Sequence, residues 1–391
     1  MSDPAEIPAP EAPRSLLFRM IVGAVLGLVR MVYHVRPIHP ERVPAGGGVL
    51  ILSNHVSYMD ALILAAACPR PLRFVMWDAL YHVWWMNGFL RYVGTVPISA
   101  TRAKDAVRTV ATALKEGGLV CLFPEGEITR HGMVNELRKG FELMARQGHA
   151  KVMPVWLDGL YGSIFSFQGG GFCKKRPRQF RYPVTVRFGE PVEAKAGDAA
   201  SIRRTLLAMG ETAMMERTVW EHAGEDRLAF TNGLRLRETE WHRAGDVLLC
   251  LEPAGSVVHR TVRELARLLP GTKIIESMVE AGGAPVVAFG SLARLSQAGH
   301  GERLFFCFDA DAAQITALQA PKVLRGYFDG ASGLLISSEV PNPPAAEGEE
   351  AQLGIRAGTL GRLLPGLALE SLPAGLALDE AGFVVITPAP L

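Results

Sequence analysis

His55 and Asp60 stand five residues apart in "SNHVSYMD" (53–60), directly after the apolar run "GGVLILS". An imidazole is the natural general base near neutral pH, and a carboxylate on its other nitrogen fixes the tautomer and steadies the imidazolium. Five is not a same-face spacing in a regular helix, where residues i and i+4 meet. The pair meets if His55 sits on a loop and Asp60 lies in the first turns of the helix that follows. A plainer reading stands beside this one: Asn54 or Ser57 caps a helix, and Asp60 favours its positive N-terminus. A second polar feature, "FPEGEITR" (123–130), follows the apolar run "LVCLF". Its Pro-Glu-Gly turn offers a carboxylate and exposed backbone N–H groups, and that shifts the balance toward a site. "VMPV" (152–155) lies within a further run.

The elements that must position these residues alternate. The runs "GVLILS", "LRFVM", "GTVPI", "LVCLF", "KVMPVWL" and "VTVRF" have the apolar density of buried strands. Helices are expected between them near 57–67, 78–91, 102–116, 135–147 and 199–222. The clearest is "AKDAVRTVATALKEGG", with Val107, Val110, Ala111 and Leu114 at helical spacing before a glycine stop. This pattern implies an α/β fold, a mixed sheet flanked by helices. Such sheets bind ligands beyond the C-terminal ends of their strands, where His55 and Glu125 would fall.

At 391 residues the chain is long enough for two domains. A net charge of +2 argues against a nucleic-acid partner. Five scattered cysteines with no CxxC indicate neither a disulfide framework nor a zinc site, and suit a reducing cytoplasmic setting. Residues 1–14 are acidic and Pro/Ala-rich. They precede "SLLFRMIVGAVLGLVRMVYHV", whose apolar core between Arg19 and Arg30 is short for a bilayer span. A membrane-associating helix lying in the interface is expected, with a core helix as the alternative. The texture changes near residue 224, so the expected domains are 1–35 (tail and membrane-associating helix), 36–224, and a smaller α/β C-terminal domain at 225–391, with "PNPPAAEGEEAQ" (341–352) linker-like.

"NHVSYMD", "FPEGEIT" and "VMPV", in this order, resemble the glycerophospholipid acyltransferase family, and "KGFELMARQG" matches a further stretch of it. The resemblance covers roughly residues 30–200. It implies acyl transfer from acyl-CoA or acyl-carrier protein (acyl-ACP) to a lysophospholipid hydroxyl, with His55 as base and Asp60 as its orienter. No bound cofactor or metal is implied; the thioester is a co-substrate. Asn54, Phe123, Pro124, Glu125 and Gly126 would shape the acceptor side, and Pro154 the acyl-donor side. "GTVPISATR" occupies the place of a motif that supplies an arginine to the acceptor phosphate, with Arg102 the nearest candidate. The lysophosphatidate enzymes read FPEGTR, but this chain has Ile128 at the arginine's position and Arg130 beyond it. The variant resembles more closely the acyltransferase half of 2-acylglycerophosphoethanolamine acyltransferase/acyl-ACP synthetase fusions. Membrane lipids are therefore the expected partners, on the cytoplasmic side of the inner membrane. A non-catalytic lipid-binding protein on the same scaffold, and a thioester hydrolase, are the competing expectations.

Supporting features are less specific. "WDALYHVWWMNGFL" (77–90) suits an acyl-chain or interfacial surface as well as ordinary packing, and "CKKRPRQFR" (173–181) an anionic surface or a solvated loop. In the C-terminal region, "KVLRGYFDGASGLLISSEVPNPP" followed by "GTLGRLLPG" weakly resembles acyl-CoA synthetases. The Thr-Glu pair of that family is replaced by Gly330-Ala331, and "FTNGLRLRE" (230–238) reads as a vestigial phosphate loop or an unrelated turn. A degenerate, inactive AMP-binding-like domain is the expectation.

Overall fold

The computed structural model describes residues 16–77, 95–98, 103–168, 181–221, 226–239, 247–269, 271–277, 279–280, 286–297, 304–308, 322–343 and 351–387. Two compact units emerge. The first comprises residues 1–128, 137–165 and 177–209; the second comprises 129–136, 166–176 and 210–391.

The first unit is built on a seven-stranded mixed sheet. In chain order its strands are β1 (Tyr33–Ile38), β2 (Val49–Ser53), β3 (Leu72–Trp77), β4 (Val96–Ile98), β5 (Leu119–Leu122), β6 (Lys151–Asp158) and β7 (Tyr182–Phe188). Their order across the sheet is β1-β7-β6-β2-β5-β3-β4. From β6 to β4 neighbouring strands are parallel, whereas β7 runs antiparallel to β6 and parallel to β1. All five residues of β2 are buried, as expected of a central strand covered on both faces. The helices α1 (Leu16–Val32), α2 (Asp60–Ala67), α3 (Ala103–Lys115) and α4 (Gly140–Gly148) accompany the sheet, and α5 (Ala199–Glu221) begins in this unit.

All six expected runs are strands, and the expected helices near 57–67, 102–116 and 199–222 form within a few residues of their anticipated limits. The helix expected at 135–147 starts only at Gly140, because Arg138 is tied through its N–H to Pro124 O at 2.8 Å. The helix expected at 78–91 lies outside the described residues. β1 was not anticipated: "YHVRPI" buries only Tyr33 fully and carries a proline, which an edge strand tolerates. No described helix is long and apolar enough to cross a membrane.

The second unit carries its own seven-stranded sheet. Its strands are β8 (Val247–Cys250), β9 (Lys273–Ile275), β10 (Val286–Gly290), β11 (Leu304–Cys307), β12 (Lys322–Phe328), β13 (Leu335–Ser338) and β14 (Arg362–Leu363). They are ordered β14-β13-β12-β11-β10-β8-β9, parallel from β9 to β12 and antiparallel beyond. A hairpin of β15 (Leu376–Leu378) and β16 (Val384–Ile386) follows.

"FTNGLRLRE" is not a turn. It forms most of α6 (Arg227–Arg237), capped by Asp226, whose side chain accepts the Ala229 N–H at 3.0 Å. Asn-Gly suggests a turn, but a Cβ on Gly233 would meet Leu265 N at 3.0 Å. The glycine therefore serves close helix packing against α7 (Val257–Leu268). Both ends of "PNPPAAEGEEAQ" belong to the second unit, and Asn342 Oδ1 accepts the N–H groups of Gly354 and Ile355.

Candidate active site

Sheet order explains why residues far apart in sequence meet. β2 lies between β6 and β5, with Leu52 paired to Pro154 on one side and Leu122 on the other. The chain leaves β2 and β5 in the same direction, so the loop at 54–59 and the turn at 123–126 share one rim. This is the C-terminal edge where open parallel sheets place their ligands.

His55 sits in that loop, and Asp60 is the first residue of α2. His55 Nδ1 lies 2.8 Å from Asp60 Oδ2, which also accepts the N–H groups of Val56 at 2.7 Å and Ser57 at 3.0 Å. An oxygen that accepts two backbone N–H groups is a hydrogen-bond acceptor toward the ring as well, so Nδ1 carries the proton and Nε2 presents its lone pair. Neither Asn54 nor Ser57 caps the helix: the N-cap of α2 is Met59 with no side-chain cap, and Ser57 Oγ accepts only the N–H of that residue, at 3.1 Å. Asp60 is fully buried. Burial holds its carboxyl above the ordinary value, against hydrogen bonding and charge from His55 and the backbone bonds of Ser57 and Val56.

The imidazole is partly exposed and stacks on Phe123, with ring centroids 4.0 Å apart and planes 13° from parallel. Glu125, itself buried, accepts the His55 backbone N–H on Oε1 at 2.9 Å. The loop is pinned twice more. Asn54 is buried, and its amide both donates to Leu157 O at 2.9 Å and accepts Leu157 N–H at 2.7 Å, taking the place of a strand partner. Phe165 O accepts from Tyr58 N–H at 3.1 Å and from Ser57 Oγ at 3.2 Å. The geometry thus holds a tautomer-fixed imidazole with its free nitrogen uncommitted to Asp60.

The other anticipated residues fall differently. Gly126 closes the turn after β5, with φ at 80° and its N–H donating to Phe123 O; Pro124 O accepts the Arg138 N–H. Pro154 is buried inside β6, its carbonyl accepting Gly189 N–H at 2.9 Å. Ile128 is buried, so that position offers no cation. Arg130 belongs to the second unit, where its N–H donates to Gln352 Oε1 at 2.8 Å and its guanidinium lies 4.6 Å from the Phe167 ring centroid. Arg102, the aromatic run at 78–90 and the basic residues Lys174, Lys175, Arg176 and Arg178 lie outside the described residues. Arg138 escaped the sequence reading altogether; its signal was the "RKG" that opens the segment before α4.

Comparison with known proteins places this rim in context. The acyltransferase family matches residues 34–158, from β1 to the end of β6. A 1-acyl-sn-glycerol-3-phosphate acyltransferase of Borreliella burgdorferi is 28% identical over 120 residues, covering 30% of this chain and 48% of that protein. A probable 1-acyl-sn-glycerol-3-phosphate acyltransferase of Mycoplasma pneumoniae is 25% identical over 169 residues, covering 40% and 60%. The chain therefore spans between 48% and 60% of the length of these two curated relatives. The crystal structure of the 1-acyl-sn-glycerophosphate (LPA) acyltransferase PlsC from Thermotoga maritima aligns over 55% of this chain and 85% of its own, at 20% identity and a TM-score of 0.39. The matched segment, residues 34–158, holds the His55–Asp60 pair and the Phe123–Gly126 turn, so the part of the chain that builds this rim is similar to the acyltransferase family and to these 1-acyl-sn-glycerol-3-phosphate acyltransferases.

Proposed function

We propose that this chain transfers a fatty acyl group from an acyl thioester, acyl-CoA or acyl-ACP, to the free hydroxyl of a lysophospholipid. Lysophosphatidate and lysophosphatidylethanolamine are the two acceptors in view. The observation that carries the reading is the 2.8 Å contact between His55 Nδ1 and buried Asp60 Oδ2, at a rim whose opposite wall is the Phe123–Gly126 turn.

Nε2 of His55 takes the proton of the acceptor hydroxyl as its oxygen attacks the thioester carbonyl. Asp60 stabilises the imidazolium that forms, an effect of the kind worth about a hundred- to ten-thousand-fold in rate for positioned acid–base groups. Collapse of the tetrahedral intermediate expels the thiolate, which recovers the proton from His55, leaving ester and thiol. No acyl-enzyme is required, and the sequence has no GxSxG elbow. Phe123 limits the ring's orientation by stacking, and Glu125 holds the backbone of His55. On this reading α1 lies in the membrane interface, on the cytoplasmic face of the inner membrane, and brings the rim to its lipid substrate.

The test offers purified protein labelled acyl-CoA and acyl-ACP with a panel of lysophospholipids. Wild type is expected to form diacyl product. His55→Ala is expected to form none while keeping its circular dichroism and melting profile. Near-wild-type transfer by that variant would overturn the mechanism, and lipid binding without product would favour a non-catalytic scaffold.

A further inference from the structure

Gly126 is exposed at the tip of the turn after β5, in the left-handed region at φ 80°. A Cβ added there would fall 2.5 Å from Nε of Arg138, 3.1 Å from its Cδ and 3.4 Å from its Cζ. The guanidinium end of Arg138 therefore covers the face that any side chain at 126 would occupy. Its backbone is fastened to the same turn, because the Arg138 N–H donates to Pro124 O at 2.8 Å. The chain thus returns twelve residues later and lays an exposed arginine beside the turn whose Glu125 accepts the His55 N–H. Both residues belong to the first unit.

We propose that Arg138 binds the phosphate group of the acyl acceptor and so sets acceptor specificity; this rests on the acyltransferase reading above. A guanidinium presents a planar fork of N–H donors matched to phosphate oxygens, and its charge is permanent. Glycine at 126 leaves room for the arginine stem, and the Pro124 bond fixes where that stem begins. In a 1-acyl lysophospholipid the phosphate and the free secondary hydroxyl are carried on neighbouring glycerol carbons. Holding the phosphate at this turn therefore directs the hydroxyl toward the histidine that the turn's own Glu125 anchors. The arrangement supplies from position 138 the cation that buried Ile128 does not.

Steady-state transfer with lysophosphatidate and lysophosphatidylethanolamine, varying acceptor and donor separately, tests this. Arg138→Ala is expected to raise the acceptor KM about ten- to a hundred-fold, the size expected for losing a charged hydrogen-bond partner, with the donor KM unmoved. Arg138→Lys, which keeps charge without the fork, is expected to recover part of the loss. Gly126→Ala, whose new methyl displaces the guanidinium, is expected to show the same acceptor-selective shift. A loss confined to the phosphomonoester assigns lysophosphatidate as the matched headgroup, whereas equal losses assign the phosphate common to both. Should Arg138→Ala fold poorly by circular dichroism, Arg138→Gln keeps the stem and carries the same expectation. An unchanged acceptor KM in a folded, active variant overturns this inference alone; a wild type that acylates neither lipid overturns the reading beneath it as well.

Discussion

Asp60 Oδ2 lies 2.8 Å from His55 Nδ1 and accepts two further hydrogen bonds from Val56 and Ser57, so one buried oxygen organises the entire turn from His55 to α2. The same oxygen therefore does two jobs. It folds the loop through backbone N–H groups, as an acidic residue at a helix N-terminus commonly does, and it orients the ring. The two jobs separate under mutation.

Asp60→Asn keeps an oxygen for the backbone donors but cannot stabilise an imidazolium. Transfer is expected to fall by about a hundred- to ten-thousand-fold, the range seen when an orienting carboxylate is neutralised. Stability should move the other way with pH. Burial raises the Asp60 carboxyl, and a carboxyl raised on folding contributes stability at low pH that is lost as pH climbs through its folded value. Asparagine has no such proton to lose. Urea midpoints followed upward from about pH 4, near the unfolded carboxyl value, should therefore show the balance shifting toward the variant as pH rises. A shift toward wild type would mean that the His55 bond outweighs burial.

Glu125 makes a different demand. Its buried Oε1 accepts the His55 backbone N–H, a bond that glutamine can make and alanine cannot. Glu125→Ala leaves a donor orphaned and should cost about 1–3 kcal/mol of stability along with activity. Glu125→Gln should keep the fold, and its kinetics decide what the charge does. Recovery of transfer assigns Glu125 to positioning His55, whereas activity as low as that of the alanine variant assigns the negative charge itself to the reaction.

The rim was legible because buried parallel strands announce themselves as continuous apolar runs, and because strand-end loops are where polar residues gather. "VLILS" and "LVCL" could be read as strands from composition, and the loops after them carried His55 and Glu125. Their adjacency was a matter of sheet order, which fixes β2 beside β5 and is not written in either segment. Arg138 was missed for the same reason: its contact with Gly126 depends on how the chain returns past the turn. In the second unit Asn232-Gly233 misled, because a dipeptide that favours turns was chosen for close helix packing. Asn232 there is buried, accepting Leu335 N–H at 3.0 Å and donating to Gly333 O at 2.9 Å. Local propensity lost to tertiary contact in that case.

The N-terminal helix offers a test of membrane attachment. Val29 is buried in the first unit's core, whereas Met20, Leu28 and Met31 are 63%, 56% and 60% exposed. An amphipathic helix on a soluble protein would turn polar residues outward, but these outward positions are apolar. At 17 residues α1 is about 26 Å long, short for a span and suited to lying in the interface. Wild type is expected to co-float with vesicles of anionic phospholipid, and Leu28→Glu with Met31→Glu to weaken that binding. Equal flotation by the double variant would remove α1 from membrane attachment.

His131 is expected to set an acid limit on the second unit. It is fully buried, and its Nδ1 accepts the Met133 N–H at 3.2 Å, an arrangement open only to a neutral ring. Burial, followed by the charge of Arg362, holds its pKa well below the ordinary 6.5, with the Asn135 side chain only partly opposing. A histidine lowered on folding contributes stability above its unfolded value that drains away as pH falls from there toward the folded one. His131→Asn retains an acceptor near the Nδ1 position and cannot be protonated. The variant should be less stable than wild type at about pH 8, having lost part of the buried ring. That deficit should shrink as the pH drops below about 6.5, because only wild type loses stability to this ring's titration. Urea midpoints measured across that interval read the effect directly, and a deficit that stays constant or grows on acidification would show that His131 is not held neutral by the fold.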